Sequence, residues 1–317
     1  MRKFQCKVFV LVMFVTAACN QISVKSPKID IQDAHSGGSI MTFEQKNRFL
    51  VSAGWEGRVK IWSLPEGKLV HHWQAHTDSV NGVEYISNST QILTAGFDAR
   101  LKLWSNKGKL LKQKQLSSPV TDMLVDESAG LIMTGHDDGS VQWHSMASLN
   151  LVSSNRVHTQ SVRAIAWHSG KQLLASSSHD GTILIWQKNY QATSLPQPPT
   201  DAWTLDFSPD GKFLMGGGWF NLFHWSLHDH KLSVLATPHR GIIKSLQYTK
   251  NGSEVATISR QTDSSVYYLN AKTGNITREF GVHELCGETV RLSSGDVYMA
   301  TSSDDANLRV WELSEAR

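Results

Sequence analysis

The feature that most constrains this chain is a short pattern that returns about every 40 residues. Seven segments read as a brief strand that closes on an aromatic or bulky residue, and the closing residues are Trp62, Trp104, His144, Trp186, Trp225, Leu269 and Trp311. Their spacings are 42, 40, 42, 39, 44 and 42 residues. A fixed period of this size indicates a repeat architecture, in which each unit buries its apolar surface by packing against its neighbours.

Each unit also contains an earlier segment in which apolar residues alternate with polar ones. Val80-x-x-Val83-x-Tyr85 is an example, and Ser208-Pro209-Asp210-Gly211 is one of the turn clusters that follow such segments. This alternation is typical of strands, and no stretch keeps a helical period. Four short strands in each unit of about 40 residues predict an all-β fold, a seven-bladed β-propeller.

The repeats resemble the WD40 family over residues 28–317. The family's signature joins a His before the first strand, a Ser or Thr on the second, an Asp in the turn before the third, and the Trp that ends the third. Four blades supply such a set, with Glu replacing Asp in blade one: His35, Ser52, Glu56 and Trp62; His76, Thr94, Asp98 and Trp104; His158, Ser176, Asp180 and Trp186; His283, Thr301, Asp305 and Trp311. The resemblance implies that each set satisfies polar groups that would be costly to bury alone.

The other three blades depart from this signature. Blade three has Leu116 and His144 at the His and Trp places, and blade six has Asp263 after a longer turn and Leu269 at the Trp place. Blade five keeps only Trp225. We expect packing to hold these three blades together.

The two ends of the propeller indicate how the ring closes. The sequence stops at Arg317, soon after Trp311, and leaves no fourth strand for blade seven. Residues 28–35 echo residues 69–76, which supply the outer strand of blade one and lead into blade two. We expect this N-terminal strand to complete blade seven and so remove an open sheet edge.

Residues 1–18 have the composition of an export signal. Arg2, Lys3 and Lys7 form a positive region, and an apolar run at residues 8–15 follows it. A membrane-spanning helix needs about 20 apolar residues, which is more than this run provides. We therefore predict a signal peptide over residues 1–18.

The end of this signal resembles a bacterial lipobox. Thr16-Ala17-Ala18 precedes Cys19, although Thr16 stands where that family usually has an aliphatic residue. The resemblance implies lipidation of Cys19, with residues 19–27 as a lipidated N-terminus and short tether, and several acyl chains hold a protein stably at a bilayer. Asn20, where an Asp would signal inner-membrane retention, favours the periplasmic face of the outer membrane. The alternative is an ordinary signal peptide with Cys19 near its cleavage site.

Charge and cysteine content narrow the classes of partner. The chain has 31 basic and 28 acidic residues, and loss of Arg2, Lys3 and Lys7 leaves 28 of each. A neutral mature chain lacks the charge of a nucleic-acid binder. Of the three cysteines, only Cys286 remains after signal removal and lipidation, so we expect no internal disulfide.

The sequence contains no motif of a common enzyme class, neither His-Glu-x-x-His, Cys-x-x-Cys and Gly-x-Ser-x-Gly nor a phosphate-binding loop. We expect no catalysis and no cofactor or metal. His239 takes the signature place in blade six, and the histidines that the signature leaves over do not converge at a metal-ligand spacing: His71, His72, His136, His179, His228 and His230.

The resemblance places the residue before each turn acid on the narrow top face, near the central channel where partners of this family often dock. Those positions, with the turn of blade five, are Trp55, Phe97, Asp137, His179, Thr262, Asp304, Trp219 and Phe220. Aromatic residues are enriched at binding hot spots. The alternative for the two tryptophans of this set is that they cap the core.

On this basis the favoured function is a membrane-anchored, non-catalytic protein-interaction scaffold of the bacterial cell envelope. It would be a monomeric propeller whose partners are envelope proteins, and this function is an analogy from the fold. The alternative is a ligand, metal or catalytic site in the central channel, built on His136, Asp137 and His179.

Overall fold

The computed structural model describes residues 24–86, 90–261 and 263–313. The predicted signal peptide, the predicted lipid acceptor Cys19 and the predicted top-face residue Thr262 lie outside the described residues. Within those ranges, no helix has the length and hydropathy needed to cross a membrane.

The described chain is all-β apart from a short 3-10 turn at Ser294–Asp296. In chain order the strands are β1 (Val24–Lys25), β2 (Ile29–Ile31), β3 (Ser39–Phe43), β4 (Phe49–Gly54), β5 (Arg58–Ser63), β6 (Leu69–Gln74), β7 (Val80–Ile86), β8 (Gln91–Gly96), β9 (Arg100–Ser105), β10 (Leu110–Gln115), β11 (Val120–Asp126), β12 (Leu131–His136), β13 (Ser140–Ser145), β14 (Leu151–Arg156), β15 (Val162–His168), β16 (Leu173–Ser178), β17 (Ile183–Trp186), β18 (Ala192–Leu195), β19 (Thr204–Phe207), β20 (Phe213–Gly217), β21 (Asn221–Ser226), β22 (Leu232–Ala236), β23 (Ile242–Tyr248), β24 (Glu254–Arg260), β25 (Val266–Asn270), β26 (Ile276–Phe280), β27 (Gly287–Leu292), β28 (Tyr298–Ser303) and β29 (Leu308–Glu312).

These strands form seven sheets, which are the blades of the propeller. Blades one to five consist of β3–β6, β7–β10, β11–β14, β15–β18 and β19–β22, each with antiparallel neighbours. Blade six consists of β23–β26 with β1 added, and blade seven of β27–β29 with β2 added. This arrangement confirms the predicted all-β, seven-bladed fold.

Burial follows the radial position of a strand. The second strand of blade one, β4, has Leu50, Val51 and Ala53 fully buried, because its two faces pack against the blades on either side. The outer strand of blade two, β10, has all six residues exposed. The inner strands therefore read as near-continuous apolar runs, and each outer strand forms a rim that meets solvent.

The N-terminal segment closes the ring, as the sequence predicts. Strand β2 pairs antiparallel with β29, with Ile29 opposite Val310 and Ile31 opposite Leu308. Ile31 is buried in the cluster that joins blades one and seven. Blade seven thus obtains its fourth strand from the start of the chain.

The segment before β2 also lies on the propeller, which the sequence did not predict. Strand β1 runs parallel to β26, the outer strand of blade six, with Lys25 opposite Phe280. The backbone N–H of Gly281 donates to the carbonyl of Lys25 (3.2 Å). Val24 and Lys25 therefore belong to the propeller, although the predicted domain boundary at residue 28 assigns them to the tether.

Deletion of residues 20–31 is expected to destabilise the whole propeller, because it removes β1 and β2 and exposes the edges of blades six and seven. A loss of about 3 kcal/mol corresponds to a melting temperature lower by roughly 5 °C in a domain of this size. Deletion of residues 20–23 leaves both strands in place and is the control. Equal melting temperatures for the two deletions, measured by circular dichroism, would contradict this closure.

Candidate functional site

Blades one and two contain the complete polar set that the sequence predicts. In blade two, Nδ1 of His76 lies 2.8 Å from Oδ1 of Asp98, and Nε2 lies 2.7 Å from Oγ1 of Thr94. The indole N–H of Trp104 donates to the same hydroxyl (2.9 Å). Burial lowers the pKa of His76, although the Asp98 carboxylate acts to raise it, and favours the neutral imidazole. With a neutral ring, every buried polar group of the set has a hydrogen-bond partner.

Blade one repeats this arrangement with Glu56 as the acid. His35 lies 2.6 Å from the carboxylate of Glu56 and 2.7 Å from the hydroxyl of Ser52, which also accepts from Trp62 (2.8 Å). Burial acts to raise the pKa of Glu56, but the hydrogen bond and charge of His35, together with backbone hydrogen bonds, outweigh it and lower that pKa to about 2. The longer Glu side chain therefore replaces Asp without loss of the network.

Blade four inserts a hydroxyl between the His and the acid. Nδ1 of His158 lies 2.8 Å from Oγ1 of Thr182, which donates to Asp180 (2.6 Å), whereas His158 and Asp180 are 3.5 Å apart. Ser176 still joins His158 (2.7 Å) and Trp186 (2.8 Å). The predicted four residues are present, and Thr182 is a fifth member that the signature does not include.

In blade seven the last residue of the predicted set, Trp311, makes a different hydrogen bond from the one expected. His283 contacts Asp305 (3.0 Å) and Thr301 (2.7 Å) as expected. The indole N–H of Trp311, however, donates to the backbone carbonyl of Lys25 (3.1 Å) and not to Thr301. Trp311 is thus part of the ring closure, because its indole holds the segment that crosses from blade six.

The expectation that packing alone holds blades three and six is wrong. In blade six, His239 contacts Thr257 (2.8 Å) and lies 3.5 Å from Asp263. In blade three, His136 lies 2.8 Å from the hydroxyl of Thr134 and 3.1 Å from the carbonyl of Ser118. Both blades keep a His–hydroxyl pair, although blade three takes its His from the second strand.

In blades three and five, the residue at the Trp position lacks the hydroxyl partner that the signature predicts. His144 stands where other blades have Trp, and neither ring nitrogen has a hydrogen-bond partner within the described residues. Burial lowers its pKa to about 4, so the ring stays neutral. In blade five the indole of Trp225 donates to the carbonyl of Pro196 (2.8 Å), because no hydroxyl residue is available on β20.

The predicted top-face residues lie in the turns between the second and third strands. Three aromatic side chains are well exposed there, Trp55 by 43%, Phe97 by 39% and Phe220 by 47%. Asp137 and His179 are also exposed. Trp219 and Asp304, the remaining predicted members within the described chain, are half-buried.

Trp55 both caps the core and reaches solvent. Its indole covers Gly38, where a Cβ would lie 2.9 Å from the ring. The guanidinium of Arg260 lies 5.7 Å from the ring and donates to Asp304 (2.9 Å). The side chains of blades one, six and seven therefore meet in one cluster beside the channel.

Phe220 occupies a backbone position that large residues rarely take. The last residue of this turn has φ near +79°, +85° and +79° in blades one, three and four, where it is Gly57, Gly139 and Gly181. Blades two and seven use Ala99 and Ala306 with φ of +57° and +70°. In blade five the turn is one residue shorter, and Phe220, which likewise directly precedes the third strand, has φ of +61°. A left-handed conformation costs a residue with a side chain about 1 kcal/mol or more.

The loop that joins blades five and six forms hydrogen bonds with Phe220 and holds it in this strained conformation. The N–H of Phe220 donates to the carbonyl of Gly241 (3.0 Å), and its carbonyl accepts from the N–H (3.2 Å) and hydroxyl (2.7 Å) of Thr237. These three bonds fix the turn in a conformation that presents the phenyl ring to solvent. Strain of this kind persists only where the surroundings over-determine the backbone.

The mouth of the central channel holds charged residues that sequence reasoning missed. Arg163 stacks on Trp203, 3.5 Å from the ring centroid, and donates to Nδ1 of His179 (2.7 Å) and to Asp201 (3.2 Å). Lys244 lies 3.4 Å from Glu288. Arg163 thus fixes the position of His179, a contact that the sequence did not predict.

Three carboxyl groups line the channel below its mouth, in a cavity of about 310 Å³. Asp206 accepts from the N–H of Tyr248 (2.7 Å), and Asp122 accepts from the N–H of Ile165 (2.9 Å), each across a blade boundary. Burial raises the pKa of Glu84 and Asp206 to about 7 and that of Asp122 to about 6. Charged residues within the otherwise apolar first strands are the sequence signal that could have identified this group.

The alternative of a metal site in the channel has no support from the geometry. Across residues 24–86, 90–261 and 263–313, no group of three or more His, Cys, Asp or Glu side chains could hold a metal ion. His136 is fully buried within blade three, and Asp137 is exposed in the turn. His136, Asp137 and His179 therefore do not form the site that the alternative requires.

Replacement of Asp206 by Asn is expected to stabilise the protein at pH 8. Burial in the native state raises the pKa of Asp206 to about 7. Between about pH 4 and 7 the folded protein therefore binds more protons than the unfolded chain, and its stability falls as pH rises through that window. The amide still accepts from Tyr248 and carries no charge. We expect a gain of about 2 kcal/mol at pH 8 that shrinks towards pH 4, measured by urea unfolding.

Asp126→Asn is the matched control, with the opposite sign. Burial acts to raise the pKa of Asp126, but hydrogen bonds led by that of Ser128 lower it to about 2. Its stabilisation is present above the unfolded pKa and is lost as pH falls through the folded pKa, so Asp126→Asn should destabilise the protein at pH 8. The same sign of change for both variants at pH 8 would contradict the assignment.

Comparison with known proteins agrees with this geometry. The family model described as WD domain, G-beta repeat matches residues 27–63, 67–105 and 149–187. These segments end at Trp62, Trp104 and Trp186, or just after them, in three blades that hold the Trp-containing polar set.

Curated relatives are distant and mostly longer than this chain. The chain is 24% identical to periodic tryptophan protein 2 homolog of Caenorhabditis elegans over 66% of its own length and 24% of that protein. It is 22% identical to striatin-4 of Mus musculus over 91% of its length and 37% of that protein. It is 24% identical to nuclear distribution protein PAC1 of Arthroderma benhamiae over 90% and 70%. The repeat matches and the seven sheets together show that the chain is a seven-bladed β-propeller with WD40 repeats.

Proposed function

We propose that the protein is a non-catalytic interaction platform that binds other proteins through its top face. The observation that carries this proposal is Phe220, an exposed aromatic residue held at φ of +61° where five other blades have Gly or Ala. A residue that costs stability and contacts solvent is explained by a binding role, since strained residues cluster at functional sites.

The rest of the top face supports the same role. Trp55 and Phe97 are exposed in equivalent turns of blades one and two, and Trp219 lies beside Phe220 with ring centroids 5.5 Å apart. Large aromatic side chains anchor protein interfaces, and turns on a rigid ring hold them in place before binding. The WD40 relatives are consistent with a scaffold role.

The proposal includes attachment to a membrane at the cell envelope through lipid on Cys19. Its support is the sequence alone, the apolar run at residues 8–15 followed by Thr16-Ala17-Ala18-Cys19. The relatives named above come from eukaryotes and give no information on a bacterial envelope. Because β1 begins at Val24 and packs on blade six, a lipid on Cys19 would be only a few residues from the rim of that blade, which is the part of the propeller that we propose to lie nearest the membrane.

Phe220→Gly is expected to separate stability from binding. The free energy of unfolding should rise by about 0.5–1 kcal/mol, because Gly adopts the left-handed conformation without steric cost. Binding of a partner should weaken by more than about 1 kcal/mol, because the anchor is lost. The partner is first identified by photocrosslinking in the native envelope from benzoylphenylalanine at position 97, and then measured by calorimetry with both forms.

Two variants in blade two serve as controls. Ala99→Gly changes the same backbone position without removing an aromatic ring, so it should raise stability and leave binding unchanged. Asp98→Ala removes the acceptor of His76 and should cost roughly 1–3 kcal/mol of stability, with normal binding per folded molecule. Wild-type affinity in the Phe220→Gly variant would show that the top face of blade five is not the binding surface.

Cys19→Ser is expected to leave a folded propeller and to move it from the membrane to the soluble fraction. The thiol is the proposed lipid acceptor, and Ser cannot replace it. The measurement is fractionation with immunoblotting, together with a shift in mass from incorporated fatty acid. A variant that still sediments with the membrane would refute the anchor and leave the top-face proposal intact.

A further inference from the structure

The outer edge of blade two differs in charge from its neighbours. Strand β10 and the turn before it carry Lys107, Lys109, Lys112 and Lys114, all exposed, and no acidic residue. By contrast, the outer strands β6, β14, β18 and β22 of blades one, three, four and five together hold a single charged side chain, Arg156.

These four lysines have no acidic partner in the part of the chain that the structure describes. Lys112 donates to the carbonyl of Ala147, and Lys114 donates to the side-chain oxygen of Asn150 (3.3 Å), both in blade three. Within the described residues, none of the four lies in an ion pair with a carboxylate. The edge therefore carries more positive than negative charge, on a chain that is otherwise close to neutral.

An apolar cleft lies under these lysines, between blades two and three. It has a volume of about 250 Å³ and is lined mainly by Ile86, Leu103, Leu111 and Met146, with the polar side chains of Gln91, Lys112 and Glu127 also in its lining. Leu111 is 41% exposed. The cleft has room for one large apolar side chain, and its charged rim selects what can approach it.

Strand β10 is also an open edge. It pairs only with β9, so the outward backbone N–H and C=O groups have no strand beside them. Blade six shows that an outer strand of this fold accepts an added strand, because β1 pairs there with β26. Open edges are templates for such addition, and main-chain hydrogen bonds then supply affinity while side-chain pockets supply specificity.

We propose that the outer edge of blade two binds an extended acidic segment of a partner protein, which adds as a strand beside β10 and inserts one large apolar side chain between blades two and three. Charge complementarity with the four lysines defines the partner's chemistry. The open backbone edge favours a peptide over an anionic membrane, because lipid would remove water from those groups without replacing their hydrogen bonds. This surface is separate from the top face and can be tested independently of it.

The test selects random dodecapeptides, displayed on phage, against the immobilised full chain. We expect enrichment of sequences with several Asp or Glu residues around one large apolar residue. A synthetic peptide of the enriched sequence should bind Lys112→Glu/Lys114→Glu at least about tenfold more weakly than wild type, a change of about 1.4 kcal/mol. It should also slow amide exchange in residues 110–115, as strand addition requires.

Lys250→Glu/Lys272→Glu makes the same charge change at two exposed lysines of blade six and should leave the affinity unchanged. Lys107→Glu/Lys109→Glu is a second pair, in the turn, for use if the first pair perturbs folding. Absence of acidic enrichment, or equal binding by the charge-reversed and wild-type chains, would overturn the proposal. Lysine-dependent binding to phosphatidylglycerol vesicles without binding to any acidic peptide would overturn it in favour of a membrane surface.

Discussion

The constraint on which the rest of this structure depends is the closure of the ring. Each sheet packs both faces against neighbouring blades, so a ring left open would expose an apolar face and a strand edge. The N–H of Lys28 donates to the carbonyl of Val310 (2.8 Å), and β2 completes blade seven. The top-face turns come from all seven blades, and their relative positions are therefore set only when both ends of the chain meet.

The local parts of this fold could be predicted from the sequence. The period near 40 residues and the His–hydroxyl–acid–Trp spacing located the blades, and blades one and two form their sets as expected. Such features depend on residues that lie within one repeat of about 40 residues. The partner of Trp311 could not be found in this way, because Lys25 lies at the other end of the chain. His136 escaped because it reaches its hydroxyl from a different strand.

The candidate site could be predicted only in part, because some of its contacts lie within one repeat and others join two blades. Repeat alignment placed Trp55, Phe97 and Phe220 in turns, and the structure exposes all three. The strain at Phe220 could have been predicted from the same alignment, because five blades have Gly or Ala at that position. The stacking of Arg163 on Trp203 joins two blades, and no pattern within one repeat predicts it.

The pairing of β2 with β29 also determines when the molecule can finish folding. Ile31 and Leu308 lie almost a whole chain length apart, and loop-closure entropy must be overcome before their contact stabilises anything. Contacts of such sequence separation form slowly, so the first blades will be compact while the last is incomplete. During that interval the edge of β29 is open to any other strand. The N-terminal segment that closes the propeller thus also protects it from aggregation, and it must stay available until the last blade has been made.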